Sequence, residues 1–184
     1  MKKRSLKVYV SNKQKSVPIR AQSVKKLVSV VLEHLGVVTD QVFVYFLEDR
    51  ALAQLHEQVF SDPSLTDTIT LPIDPPGASS YPHVLGEAFI SPKAAQRFLR
   101  CEDLSEQVYE EVSRYLVHSL LHMLNYEDTT PEKKRKMRVK ENVLTFIISV
   151  CIIPYALCLV YGMYKLICIN DLYFIWLMSS FMVM

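Results

Sequence analysis

At 184 residues the chain has the length of one ordinary domain plus an appendage. Half of it is apolar and 22% is charged, with four Gly, nine Pro and four Cys, which excludes collagen, a disulfide-dense miniprotein and a disordered tail protein. The net charge of +2 and a pI near 8.3 do not describe a general polyanion binder.

In chain order, residues 5–10 (SLKVYV) are rich in β-branched and aromatic side chains and read as a strand ending at Ser11-Asn12. Residues 21–35 place Val24, Leu27, Val28, Val31, Leu32 and Leu35 at helical spacing, and Gly36 stops that helix. Residues 41–47 (QVFVYFL) form an apolar run of strand length. Residues 51–60 form a short helix with Leu52, Leu55 and Val59 on one face. Residues 66–72 (TDTITLP) alternate with period two, 73–82 form a Pro/Gly/Ser loop, and 84–90 (VLGEAFI) form a further strand. A helix starts at Ser91-Pro92, where proline suits the first turn. The strongest helix, residues 105–124, has Ser105 as its cap and Val108, Val112, Tyr115, Leu116 and Leu120 as its core stripe. Another helix opens at Pro131. The order β-α-β-α-β-β-α-α-α predicts an α+β domain: a small mixed sheet of about four strands packed against helices.

Cys101 stands alone in the charged part, and Cys151, Cys158 and Cys168 lie in the apolar end. No CxxC spacing occurs, so neither a zinc clip nor a redox motif is present, and free thiols are expected. The N-terminus MKKRSLKVYVSNKQK lacks an apolar h-region and is no secretory signal.

His118 and His122 stand four apart on the long helix, so both imidazoles share one face, one turn apart, and can grip one metal ion. Read on spacing alone, a merely packed pair competes with that. Asn125 suits the left-handed position that ends a helix. A chain turned back there brings Asp128 beneath the rings as a third ligand; the competing role for Asp128 is to cap the segment opening at Thr129-Thr130-Pro131. Two His and one carboxylate leave a fourth position open, the pattern of a catalytic zinc. Ser119 occupies the place of the general-base Glu of HExxH, which disfavours a thermolysin-like peptidase. His34, His56 and His83 show no ligand spacing.

The stretch HSLLHMLNYED (118–128) resembles the YbeY family signature H-G-x-L-H-x-x-G-[YF]-[DTE]-H. TDTITLP (66–72) resembles the family's T-D-V-L-S-F-P, and LGEAFIS (85–91) its L-G-D-I-x-I-S, in the same order. The resemblance covers roughly residues 5–142. It implies a metal-dependent, single-strand-specific endoribonuclease of the bacterial cytoplasm, acting in ribosomal RNA maturation at the 3′ end of the small-subunit RNA and in ribosome quality control. It implies one zinc per chain on His118, His122 and Asp128, with Asp128 where the family has a third His; nickel, iron and manganese remain alternatives. Ser119 and Asn125 replace two motif glycines. The family's Arg before T-D-V falls on Phe60, and no positive charge lies between Arg50 and Lys93. That departure motivates the alternative of a non-catalytic, ribosome-associated RNA-binding module with a structural metal site.

Asp67 and Glu87 lie in the strand motifs that line the matching cleft and can support the ligands, or serve as ordinary strand-end hydrogen-bond partners. Lys133, Lys134, Arg135 and Lys136, with Arg138 and Lys140, follow the site and can attract a single-stranded RNA backbone or form a solvated helix face.

Beyond residue 142 the only charges are Lys165 and Asp171. Residues 144–164 run 21 positions without a charge, enough to cross a hydrocarbon core of about 30 Å, behind a basic run that suits the cytoplasmic side. The chain therefore divides into residues 1–142, the nuclease-like domain, and an apolar tail, 143–184. That tail is read either as a membrane tether through 144–164 or as a frameshifted end.

Overall fold

The computed structural model describes residues 5–100 and 104–161, the side chains of 150–161 excepted. Its elements are β1 (Lys7–Asn12), α1 (Ala21–His34), β2 (Gln41–Phe46), α2 (Asp49–Phe60), β3 (Thr68–Pro72), β4 (Val84–Ile90), α3 (Pro92–Leu99), α4 (Glu106–Met123) and α5 (Pro131–Tyr161). This is the α+β order expected from the sequence pattern.

The four strands form one sheet in the order β1-β2-β4-β3. β1, β2 and β4 run parallel and β3 is antiparallel to β4, which gives the mixed sheet. Parallel neighbours need a crossover, and α1 supplies it between β1 and β2. The alternation of β2 sends Val42, Val44 and Phe46 into the core. Gln41, Phe43 and Tyr45 take the other face, where Tyr9 stacks on Phe43 and Tyr45 on Phe89. Val24, Leu27, Val28, Val31 and Leu32 of α1, and Val108, Val112, Tyr115, Leu116 and Leu120 of α4, are all buried. Each such side chain withdrawn from water contributes roughly 1.5–3 kcal/mol.

Three local readings are corrected. β1 continues through Ser11 and Asn12, because β2 offers Tyr45 and Phe46 as partners in register. Val59 is exposed, since α2 buries only Leu52 fully and ends before its last turn reaches the core. Ser105 sits at the N-cap of α4 with extended backbone, but its hydroxyl forms no cap bond; its carbonyl accepts Val108 N–H instead, at 3.1 Å.

Residues 1–146 form one compact unit and 147–184 a second, in which α5 is described as far as Tyr161. Among the described residues, no helix is long and apolar enough to cross a membrane. The readings that concern Cys101, the side chains of Cys151 and Cys158, and residues 162–184, which include Cys168 and the end of the 144–164 stretch, lie outside the described residues.

Candidate metal centre

α4 places His118 and His122 on one face. Their Nε2 atoms approach to 3.0 Å and the rings stand at 88° to each other. The helix ends as Asn125 predicts. Asn125 takes φ +65°, its N–H bonds to His122 O at 3.0 Å, and Tyr126 N–H bonds to Leu121 O at 3.0 Å. This paired closure is the Schellman turn, and it accounts for the Asn at the left-handed position. The same turn directs Tyr126 C=O back onto His122 Nδ1, at 3.0 Å.

The turn also delivers Asp128. One ligand atom from each of His118, His122 and Asp128 can be chosen so that all three lie within 4.8 Å of one another. The competing role for Asp128 is taken by another residue, because Thr130 Oγ1 accepts Lys133 N–H in the first turn of α5.

The donor set fits a divalent ion. Each Nδ1 is engaged on its outer side, His118 with Glu141 Oε1 at 2.6 Å and His122 with the Tyr126 carbonyl. Those acceptors place the ring proton on Nδ1, leaving both Nε2 lone pairs aimed at one point. Two nitrogens about 2.0–2.1 Å from a tetrahedral zinc lie roughly 3.3 Å apart, close to the spacing here. Without a metal ion between them, the two Nε2 atoms at 3.0 Å need a proton between them, donated by one ring to the other.

The electrostatics divide the pair. Burial pushes His118 down, but the Glu141 hydrogen bond and charge, with Asp128 and Asp67, outweigh it and hold the ring above its ordinary value. His122 is pushed below its ordinary value, first by burial and then by the charge of His118. Glu111, two turns before His118 on α4, has its carboxyl raised, chiefly by burial, with Asp67 and Glu141 adding to the effect. The surroundings are thus acidic. Arg114 balances part of that charge through Glu111, at 3.5 Å, and its Nη1 donates to Asn142 Oδ1 at 2.9 Å.

Asp67 lies near enough for its charge to lift His118, while its carboxylate accepts Thr68 N–H at 2.8 Å. Glu87 is engaged elsewhere, accepting the Tyr45 hydroxyl at 3.2 Å. Lys133 pairs with Glu127 and Lys136 with Glu132, whereas Lys134 and Arg135 are exposed and form no ion pair among the described residues. Phe60 is 55% exposed at the end of α2, an apolar ring where the family pattern has a cation.

Gly86 of the second strand motif has a packing role. A Cβ there would stand 2.7 Å from Leu71 O and 3.1 Å from Met123, so the glycine lets the end of α4 that carries His118 and His122 settle on the sheet.

Sequence reasoning missed Glu141. It is buried on α5 between Met137 and Leu144, also buried. A charged residue inside the apolar stripe of a helix is the signal that marks it.

Two imidazoles and a carboxylate at the end of a helix laid on a mixed four-stranded sheet define an α+β protein with a candidate metal centre. The family model described as endoribonuclease YbeY matches residues 9–147, and the chain belongs to that family. The protein named endoribonuclease YbeY of Chlamydia felis is 70% identical over 144 residues, covering 77% of this chain and 90% of that one. Its namesake in Chlamydia pneumoniae is 64% identical over 143 residues, with the same coverage. That of Chlamydia trachomatis serovar L2 is 61% identical over 139 residues, covering 76% and 86%. A Thermotoga maritima protein solved in solution shares the fold with a TM-score of 0.53 at 17% identity, over 78% of this chain and 89% of that one.

Proposed function

We propose that this chain is a single-strand-specific, zinc-dependent endoribonuclease of the cytoplasm, acting in ribosomal RNA processing at the small-subunit 3′ end and in ribosome quality control. The observation that carries the reading is the convergence of His118, His122 and Asp128 within 4.8 Å, in a chain whose relatives at 60–70% identity are named endoribonuclease YbeY.

His118 and His122 would hold the ion through Nε2 and Asp128 through a carboxylate oxygen. A divalent cation bound there supplies Lewis-acid polarisation of a phosphoryl oxygen or of water. The chain's own residues do the rest. Tyr126 C=O fixes the plane of the His122 ring. Asp67 adds negative potential beside His118.

Acidic surroundings repel an RNA backbone, so cations must offset them. Lys134 and Arg135 are exposed for phosphate contact, and Lys133 and Lys136 lie beside them in their pairs with Glu127 and Glu132. Arg114, one turn before His118, is the cation on that helix and is paired with Glu111.

We assign this activity to residues 1–142 and read 143–184 as an apolar tail outside it, a tether through 144–164 or a frameshifted end. The family match ending at residue 147 supports that division.

The test is metal analysis and single-stranded RNA cleavage by the purified full chain. About one zinc per chain is expected, with both zinc and cleavage lost in His118→Ala or His122→Ala; unchanged cleavage by metal-free protein would refute the reading. The exposed Phe60 favours one rival, a ribosome-associated RNA-binding module with a structural metal. In that case zinc would raise the melting temperature and RNA would bind without being cut.

A further inference from the structure

We infer that Glu141 is a positioning residue for the candidate metal centre: by holding His118 Nδ1–H it turns the Nε2 lone pair toward the ion and sets how tightly the ion binds. The inference rests on the metal reading above.

Glu141 is 9% exposed and shares its stripe of α5 with Met137 and Leu144, each 1% exposed. A carboxylate in such a stripe loses hydration and needs a specific partner to offset that cost. The partner is one atom: Glu141 Oε1 stands 2.6 Å from His118 Nδ1, within the range of a short charge-assisted bond. A carboxylate only accepts, so the proton it receives must sit on Nδ1 and the free lone pair on Nε2. Nε2 is the atom that faces its counterpart on His122 at 3.0 Å. Glu141 itself stands on the far edge of the ring and is absent from the group of three that can hold an ion. It acts through His118 and does not replace it.

The comparison inside the site sharpens the assignment. His122 has the same job done by a neutral backbone carbonyl four residues on. Only His118 has a charged acceptor, which raises the electron density the ring can donate. Loss of Glu141 therefore removes both the orientation and the added basicity of one ligand, while His122 keeps its own support.

Zinc affinity of the full chain, measured by competition with a chromophoric chelator, tests this without any reference to RNA. Glu141→Ala is expected to weaken zinc binding by about 10- to 100-fold. Glu141→Gln keeps the shape and an acceptor oxygen but not the charge, so its loss should be smaller, on the order of tenfold, with the metal-free melting temperature closest to wild type at the alkaline end of the pH range. A residue that only packs α5 would lower the melting temperature and leave zinc affinity unchanged, and that result overturns the inference. Should Glu141→Ala fail to fold, Glu141→Gln decides alone: wild-type affinity in that variant rejects the role. A wild-type chain that binds no zinc sinks the metal reading and this inference together. Zinc bound equally by all three chains sinks only this one.

Discussion

His118 and His122 sit one helical turn apart and face the same point, yet they are anchored by different parts of the chain. His122 is held by its own neighbourhood: Asn125 turns the backbone left-handed and brings Tyr126 C=O to within 3.0 Å of Nδ1. His118 is held by Glu141, 23 residues away on another helix. One anchor is neutral and local; the other is charged and long-range. The local arm is built as soon as α4 ends correctly, whereas the distant arm exists only when α5 has packed with Glu141 facing inward. Two imidazoles of the same chemistry thus differ in ring basicity and in what disturbs them.

The largest effect should come from removing either ring. His118→Ala and His122→Ala each delete one of two nitrogen donors and should lower zinc affinity by more than about 100-fold, beyond the range that an outer-shell change reaches. Asp128→Ala removes a solvent-accessible oxygen donor and should cost less. Equal losses in all three would mean that the carboxylate matches the rings, and the emphasis on the histidine pair would fall.

Chelation acts on both arms together. Zinc present at 100 times its dissociation constant adds about 2.7 kcal/mol to folded-state stability. The chain should therefore melt several degrees lower after chelator treatment and recover when zinc is restored. A melting temperature indifferent to zinc would count against an ion in this pocket.

Asn125 tests the local arm alone. At φ +65° a side chain other than Asn or Gly is strained, by roughly 1–2 kcal/mol. Asn125→Ala should lose about 1 kcal/mol of stability and weaken zinc binding through the displaced Tyr126 carbonyl. Asn125→Gly should preserve both. An Asn125→Ala chain with normal zinc affinity would show that His122 does not depend on the turn for its orientation.

The same split explains what could be read in advance. The elements were legible because strand alternation and helical spacing are local: β2 alternates Val42, Val44 and Phe46, and α4 repeats Val108, Val112, Tyr115 and Leu116. The His pair and the role of Asn125 were legible for the same reason. Where partners decide, the pattern fell short. β1 runs to Asn12 because β2 is there to pair with it, and Val59 is exposed because no core lies beneath the last turn of α2. Asp128 had two local roles open, and Thr130 had to take the cap before the other was favoured. Glu141 lay furthest out of reach, since nothing near it in sequence shows which helix its carboxylate meets.

The smallest effect is the most selective for the long-range arm. In the metal-free chain the Glu141 bond and the charges of Glu141, Asp128 and Asp67 overcome the effect of burial and hold His118 above its ordinary value of 6.5. A ring that binds its proton more tightly folded than unfolded contributes stability that is complete below that ordinary value. The contribution fades as pH rises through the raised folded value. The Glu141 hydrogen bond raises it most and the Glu141 charge next; Glu141→Gln removes that charge while keeping an acceptor oxygen for the bond. The stability gap between the two metal-free chains should therefore be widest at the acid end, about 1 kcal/mol, the difference between a charged and a neutral hydrogen bond, and should narrow as pH rises. His122 runs the other way: burial and the charge of His118 hold it below 6.5, so its contribution is present above that value and lost as pH falls. In Glu141→Gln, His122 loses both the raising charge of Glu141 and part of the lowering charge of His118, so the two changes in its slope act in opposite directions. Denaturant titrations at several pH values with chelator present measure the gap directly. A gap of constant size across the range would mean that Glu141 serves His118 through the shape of the bond and not through its charge.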